Sequence, residues 1–196
     1  MSAELRDRQL HRFCDVLEAV PADAPTLCEG WTAHDVAIHL WILKHDPLGW
    51  PGVVVPSLDL GRSARVRRRW PYAELVGRLR AEPGPLPCMP WDFREDYRHA
   101  LGELWMHTQD VARPNAVAQP EPDSALQDEL WLRVQKVAPL LRRRTAGLVL
   151  ARPDGPSAQI TSGAAQVVVT GEPTELLCWA FGRESVADVT VETQDS

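Results

Sequence analysis

Apolar residues recur at helical spacing through roughly the first 143 positions, and the pattern changes after Thr145. Over residues 3–20, Leu10, Phe13, Cys14, Leu17 and Val20 fall on one helical face. Pro21 and Pro25 end that helix, and residues 21–31 form a loop. Thr32-Ala-His-Asp35 has the form of a capping box and starts a second helix, which runs to about residue 45. This helix is apolar on most sides. Val36, Leu40 and Leu43 flank His39 on one side, Ile38 and Ile42 on the other, so the helix is expected to be buried with His39 pointing inward. Residues 46–60 read as loop, with Pro47, Pro51 and Pro56. Residues 61–70 read as a short arginine-rich helix, and 71–82 as a helix with Leu75, Val76 and Leu79 inward. A proline-rich loop, 83–92, leads into a long helix expected over 93–112, with Phe93, Ala100, Leu104 and Val111 as its apolar stripe and Pro114 closing it. Ser124-x-x-Gln127 is read as the cap of a further helix, about 125–143. Leu126, Leu130, Val134, Val137 and Leu141 face inward on it, and Pro139 is expected to kink it.

Beyond Thr145 the segments are short and apolar, broken by turn residues such as Pro153-Asp-Gly155. Strands are expected over 147–152, 157–161, 165–170 and 187–192. A short helix over 173–181 starts at Pro173 and ends at Gly182. The fold class is α+β: a four- to five-helix bundle, residues 1–143, followed by a small α+β domain, residues 144–196, with three to four strands and one helix.

The chemistry gathers on the 93–112 helix. Successive helical residues turn by about 100°, so Glu103 and His107 lie roughly 40° apart on one face, and Asp110 lies within roughly 20° of Glu103. A carboxylate and an imidazole one turn apart can share a divalent cation. Asp110 is placed to accept the other ring N–H of His107, as carboxylates beside metal-bound histidines do. Two ligands do not make a site, and His39 is the candidate third. By itself His39 reads as a core histidine bonded to a backbone carbonyl. Next to a Glu-x-x-x-His helix, a buried neutral imidazole is better matched by a metal. Two histidines and one carboxylate leave a coordination position open, the pattern of a catalytic metal. His99 lies one turn before Glu103 but ends up roughly 80° and about 12 Å from His107, so it is read as a rim residue.

Composition narrows the classes. The 196 residues carry a net charge of −6, which argues against a general nucleic-acid or anionic-membrane surface. No run approaches membrane-spanning length, and Met1 is followed by a charged amphipathic segment instead of an apolar signal region. Cys14, Cys28, Cys88 and Cys178 form no C-x-x-C pair, so they are read as packed, reduced thiols of a cytoplasmic protein. Arg62, Arg65, Arg67, Arg68 and Arg69 read first as a solvated helix face, with a phosphate- or carboxylate-binding strip as the alternative.

The stretch Pro25-Thr-Leu-Cys-Glu-Gly-Trp-Thr-Ala-His-Asp-Val-Ala-Ile-His-Leu40 resembles the N-terminal signature of the mycothiol-dependent maleylpyruvate isomerase family, within the wider DinB-like superfamily. Glu103-x-x-x-His107-x-x-Asp110 is similar to its second signature. The ending from Val167 to Leu177 and on through Phe181-Gly-Arg183 resembles its small C-terminal domain. The resemblance implies a DinB-like helical bundle holding a divalent metal, commonly zinc, at His39, Glu103 and His107. It also implies mycothiol or a similar low-molecular-weight thiol as cofactor or co-substrate. A basic residue contributed by the C-terminal domain would be Arg183. Trp31, just before the capped helix, is a candidate pocket wall, with core packing as the equal alternative. The expected function is a metal-dependent enzyme that activates a thiol for S-transfer or for isomerisation of a small electrophilic substrate, acting as a monomer or homodimer. A metal-dependent hydrolase using bound water, and a non-catalytic metal-binding protein, remain alternatives.

Overall fold

The structure is a computed structural model that describes residues 2–46, 48–49, 59, 61–82, 84, 92–164 and 166–194. Most of the loops expected over 46–60 and 83–92, Cys88 included, lies outside the described residues. The chain forms two compact units, Met1–Gln119 and Pro120–Ser196.

The first unit contains α1 (Ser2–Glu18), α2 (Ala33–His45), α3 (Arg62–Arg69), α4 (Tyr72–Ala81) and α5 (Arg98–Ala112). α1 packs on α4 and α5, and α2 packs on α3 and α4. Phe13, Leu17, Val36, Leu40, Leu43, Leu75, Leu79 and Leu104 meet in one core. These are the positions at which the helical period places apolar side chains, so burial of one stripe per helix drives the assembly. α2 starts as its sequence requires. Asp35 N–H donates to the Thr32 hydroxyl, and the Asp35 carboxylate accepts from Thr32 N–H at 3.0 Å.

α5 begins later than the apolar pattern suggests. Residues 92–95 form a 3-10 turn, and Asp96 and Tyr97 take left-handed φ values of 52° and 62°, which break the helical path. The buried Asp92 carboxylate then accepts from His99 N–H at 2.9 Å and Ala100 N–H at 3.1 Å, meeting two otherwise orphaned donors of the first turn. Phe93 therefore lies off the core stripe, 62% exposed. A short carboxylate that can satisfy the helix start from outside outweighs the apolar periodicity here.

The second unit contains α6 (Ser124–Leu141), β1 (Leu148–Ala151), β2 (Ser157–Gln159), β3 (Gln166–Thr170), α7 (Pro173–Ala180) and β4 (Thr190–Gln194). α6, which the sequence pattern groups with the bundle, packs on α7 within this unit. Its cap is Asp123, whose carboxylate accepts from Leu126 N–H at 2.8 Å, one residue before the Ser124 expected. Leu126, Leu130, Val134 and Val137 are buried as the period predicts, but Leu141 at the last turn is exposed. Pro139 sits in that last turn. The Gln127 side-chain oxygen accepts from Thr174 N–H, tying α6 to the start of α7. The sheet has strand order β2-β1-β3-β4. β1 and β3 are parallel, and the outer pairs are antiparallel. β4 begins three residues later than its pattern suggests, because its ladder with β3 runs from Thr190 opposite Thr170 to Gln194 opposite Gln166. The α+β class read from the sequence is the class observed. Among the described residues no helix is long and apolar enough to cross a membrane.

Two measurements probe this fold. Thr32→Ala removes the hydroxyl cap of α2 and is expected to lower unfolding free energy by about 1 kcal/mol in a denaturant titration. Burial pushes the Cys14 thiol from 9.0 up to about 12. A raised acid stabilises the fold below its unfolded value and loses that contribution as it ionises, so stability is expected to fall as pH rises from 9 toward 12. Cys14→Ala should flatten that fall in melts across the same range. An equally steep fall in the variant would assign it to other groups.

Candidate metal centre

Three segments of the first unit converge on His107. α5 carries Glu103, His107 and Asp110 on one face, since positions three and four apart are neighbours on a helix. α2 delivers His39 from a nearly all-apolar helix. The loop over residues 21–32 delivers Cys28 and Trp31. That loop is closely tied down. Leu27 N–H donates to the Asp110 carbonyl at 2.9 Å, the Asn115 amide donates to the Pro25 carbonyl, and the Thr26 hydroxyl bonds the Trp31 carbonyl. Trp31 N–H closes a turn onto the Cys28 carbonyl with Gly30 at φ 75°, a conformation that favours glycine.

His39, Glu103 and His107 each present one ligand atom, and these atoms lie within 4.8 Å of one another. Glu103 Oε2 and His107 Nε2 are 3.5 Å apart. Two ligands about 2.1 Å from a tetrahedral ion stand roughly 3.4 Å apart, so this pair already has the required spacing. The His39 and His107 rings pack edge to face at 4.7 Å. His39 Nε2 is buried and has no hydrogen-bond partner among the described residues. A buried polar nitrogen without a partner carries a desolvation cost that a cation would remove. Burial and the neighbouring His107 push the His39 pKa down to about 3, so the ring is neutral and its lone pair is available. Burial alone would raise the Glu103 carboxyl, but the contact with His107 holds it down at about 2, as an anion. A neutral imidazole, a second imidazole and a carboxylate form the donor set of a borderline divalent ion.

Asp110 is fully buried, and its Oδ2 lies 3.0 Å from His107 Nδ1. That bond puts the His107 proton on Nδ1 and turns Nε2 toward Glu103. With no ion bound, burial works against charging His107, yet its bonds to Asp110, Cys28 and Glu103 raise its pKa well above the ordinary value.

The other expected residues lie as follows. Trp31 stands beside the cluster, its ring 5.3 Å from that of His39. His99 Nε2 is 3.8 Å from the second oxygen of Glu103 and is one-third exposed, at the rim. Arg183 belongs to the second unit, where its guanidinium donates to the Phe181 carbonyl. Cys28 is the residue that the spacing did not single out. Its Sγ donates to Asp110 Oδ2 at 3.1 Å, the oxygen that also serves His107. No motif within its own loop announces this, because the partner is 82 residues away.

No family model matches the chain, and no curated protein matches it by sequence. Two solved structures match over nearly the whole length. The crystal structure of the mycothiol-dependent maleylpyruvate isomerase aligns with a TM-score of 0.65 and 20% identity, covering 97% of this chain and 91% of that one. A mutant of that enzyme, with a histidine replaced by alanine, aligns with a TM-score of 0.64 and 18% identity over the same shares. The fold is thus that of the enzyme whose family the sequence signatures resemble.

The packing predicts an order of thiol reactivity. Cys28 is half-buried, whereas Cys14 and Cys178 are buried. Iodoacetamide should label Cys28 before the other two in a peptide-mapped time course. Equal labelling of all three would contradict the packing described.

Proposed function

We propose that this chain is a divalent-metal enzyme, with zinc the expected ion, that activates a low-molecular-weight thiol for S-transfer or thiol-assisted isomerisation of a small electrophilic substrate. The observation that carries the reading is the buried His39, whose Nε2 has no partner among the described residues, with a ligand atom within 4.8 Å of those of Glu103 and His107. The shared fold with a mycothiol-dependent isomerase supports a thiol, mycothiol or one like it, as the co-substrate. A cytoplasmic location goes with this reading, since such thiols are kept reduced there.

His39, Glu103 and His107 would hold the ion, and three protein ligands leave a position for a reactant. A bound ion would lower the pKa of a thiol in that position, so that the nucleophilic thiolate forms near neutral pH. Asp110 keeps the proton of His107 on Nδ1, so that Nε2 stays a lone-pair donor. Trp31 supplies an apolar wall beside His39.

The first measurement is metal content after purification without added metal or affinity tag. Near one equivalent is expected in the wild type and almost none in His107→Ala, and Asp110→Asn should bind zinc roughly 10–100-fold more weakly. No metal in the wild type, together with no rise in melting temperature on adding zinc, would remove the enzyme reading. With metal present, turnover that requires an added thiol supports the thiol mechanism. Turnover without thiol would favour hydrolysis by bound water.

A further inference from the structure

A second feature of the first unit lies on the other side of α2. Trp41 and His45 sit roughly 200° and 240° around the helix from His39, so they face away from the candidate metal centre. They border a cleft of about 390 Å³ whose other lining includes Arg65, Arg69, Trp70 and Arg78. That volume falls in the range of small-molecule sites.

The arginines of α3 divide into two groups. Arg62 bonds the Asp46 carboxylate at 2.8 Å, and Arg67 bonds Asp35, so these two fasten the helix to α2 and its end. Arg65, Arg68 and Arg69 have no carboxylate partner among the described residues. Arg65 and Arg69 are one turn apart and both line the cleft. The Arg69 guanidinium carbon lies 4.7 Å from the Trp70 ring centre, and that of Arg78 lies 3.7 Å from it. A guanidinium within cation–π range of an indole can still offer its N–H groups to a carboxylate or phosphate. Arg78 is further held by Glu74 at 3.0 Å. The carboxylate on the lining, Glu82, lies 3.2 Å from His45 Nε2. Burial lowers the His45 pKa, so His45 brings no compensating charge to Glu82, yet Arg65 and Arg69 outnumber that one lining carboxylate in an open cleft on a chain whose net charge is −6. A solvated helix face does not call for guanidiniums gathered around one tryptophan.

We propose that this cleft binds a small organic anion, with its carboxylate or phosphate group on Arg65 and Arg69 and its carbon skeleton against Trp41 and Val66. The proposal is independent of the metal reading, because the two sites lie on different faces of α2.

The test is calorimetric titration of the full chain in excess EDTA with benzoate, phenyl phosphate, inorganic phosphate and the neutral benzamide. Saturable binding of benzoate or phenyl phosphate is expected, at least tenfold tighter than benzamide. Arg65→Ala/Arg69→Ala, two exposed positions, should weaken it at least tenfold with the melting temperature unchanged. Whichever aryl anion binds tighter identifies the head group. Absence of saturable binding by either, binding unchanged in the double variant, or binding abolished by EDTA would overturn the proposal. Inorganic phosphate binding as tightly as phenyl phosphate would overturn it too, since the carbon skeleton would then go unrecognised.

Discussion

The hydrogen bond between Asp110 and His107 is the constraint around which the first unit is arranged. An imidazole can serve a cation through one nitrogen only if the other is held, and Asp110 Oδ2 holds Nδ1 at 3.0 Å. Asp110 is fully buried, so the bond is shielded from water and strengthened by its surroundings. The same residue fixes the backbone. Its carbonyl accepts from Leu27, which brings the loop that carries Cys28 and Trp31 to α5. One residue thus orients the histidine and anchors the loop.

Burial explains why the cluster is chemically poised. Each of its polar groups carries a desolvation penalty, met within the protein by partners for His107 and Asp110 and left unmet at His39 Nε2. Glu103 stays ionised because His107 stands one turn away. In the metal reading proposed above, a cation held by His39, His107 and Glu103 would relieve the unmet penalty and balance the carboxylate.

Arginine does two jobs on α3, and the difference lies in what stands opposite. Asp46 and Asp35 turn Arg62 and Arg67 into fasteners between helices. Trp70 has Arg69 of α3, and Arg78 of α4, within cation–π range beside a cleft, where Arg78 is also bonded to Glu74 and Arg69 has no carboxylate partner among the described residues. One run of identical residues in the sequence has two physical roles in the fold.

Much of this was legible in the chain. The period of Leu10, Phe13, Leu17, Val36, Leu40, Leu75 and Leu104 determines the buried stripes. The Thr32–Asp35 box determines a helix start. The four-residue step from Glu103 to His107 determines that both share a face, since helix geometry converts local spacing into direction. The α+β class follows from the same change of period at Thr145. Other features needed the tertiary structure. The start of α5 was decided by Asp92 reaching the amides of His99 and Ala100 around two left-handed residues, which an apolar count from Phe93 does not register. The packing of α6 on α7 was decided by which partner covered its apolar face, and an amphipathic pattern specifies a face without naming its partner. Cys28 at Asp110, and His39 beside His107, are contacts across 82 and 68 residues. Local spacing carries no information at that range. Only the packing of α2, α5 and the loop between α1 and α2 brings those atoms together.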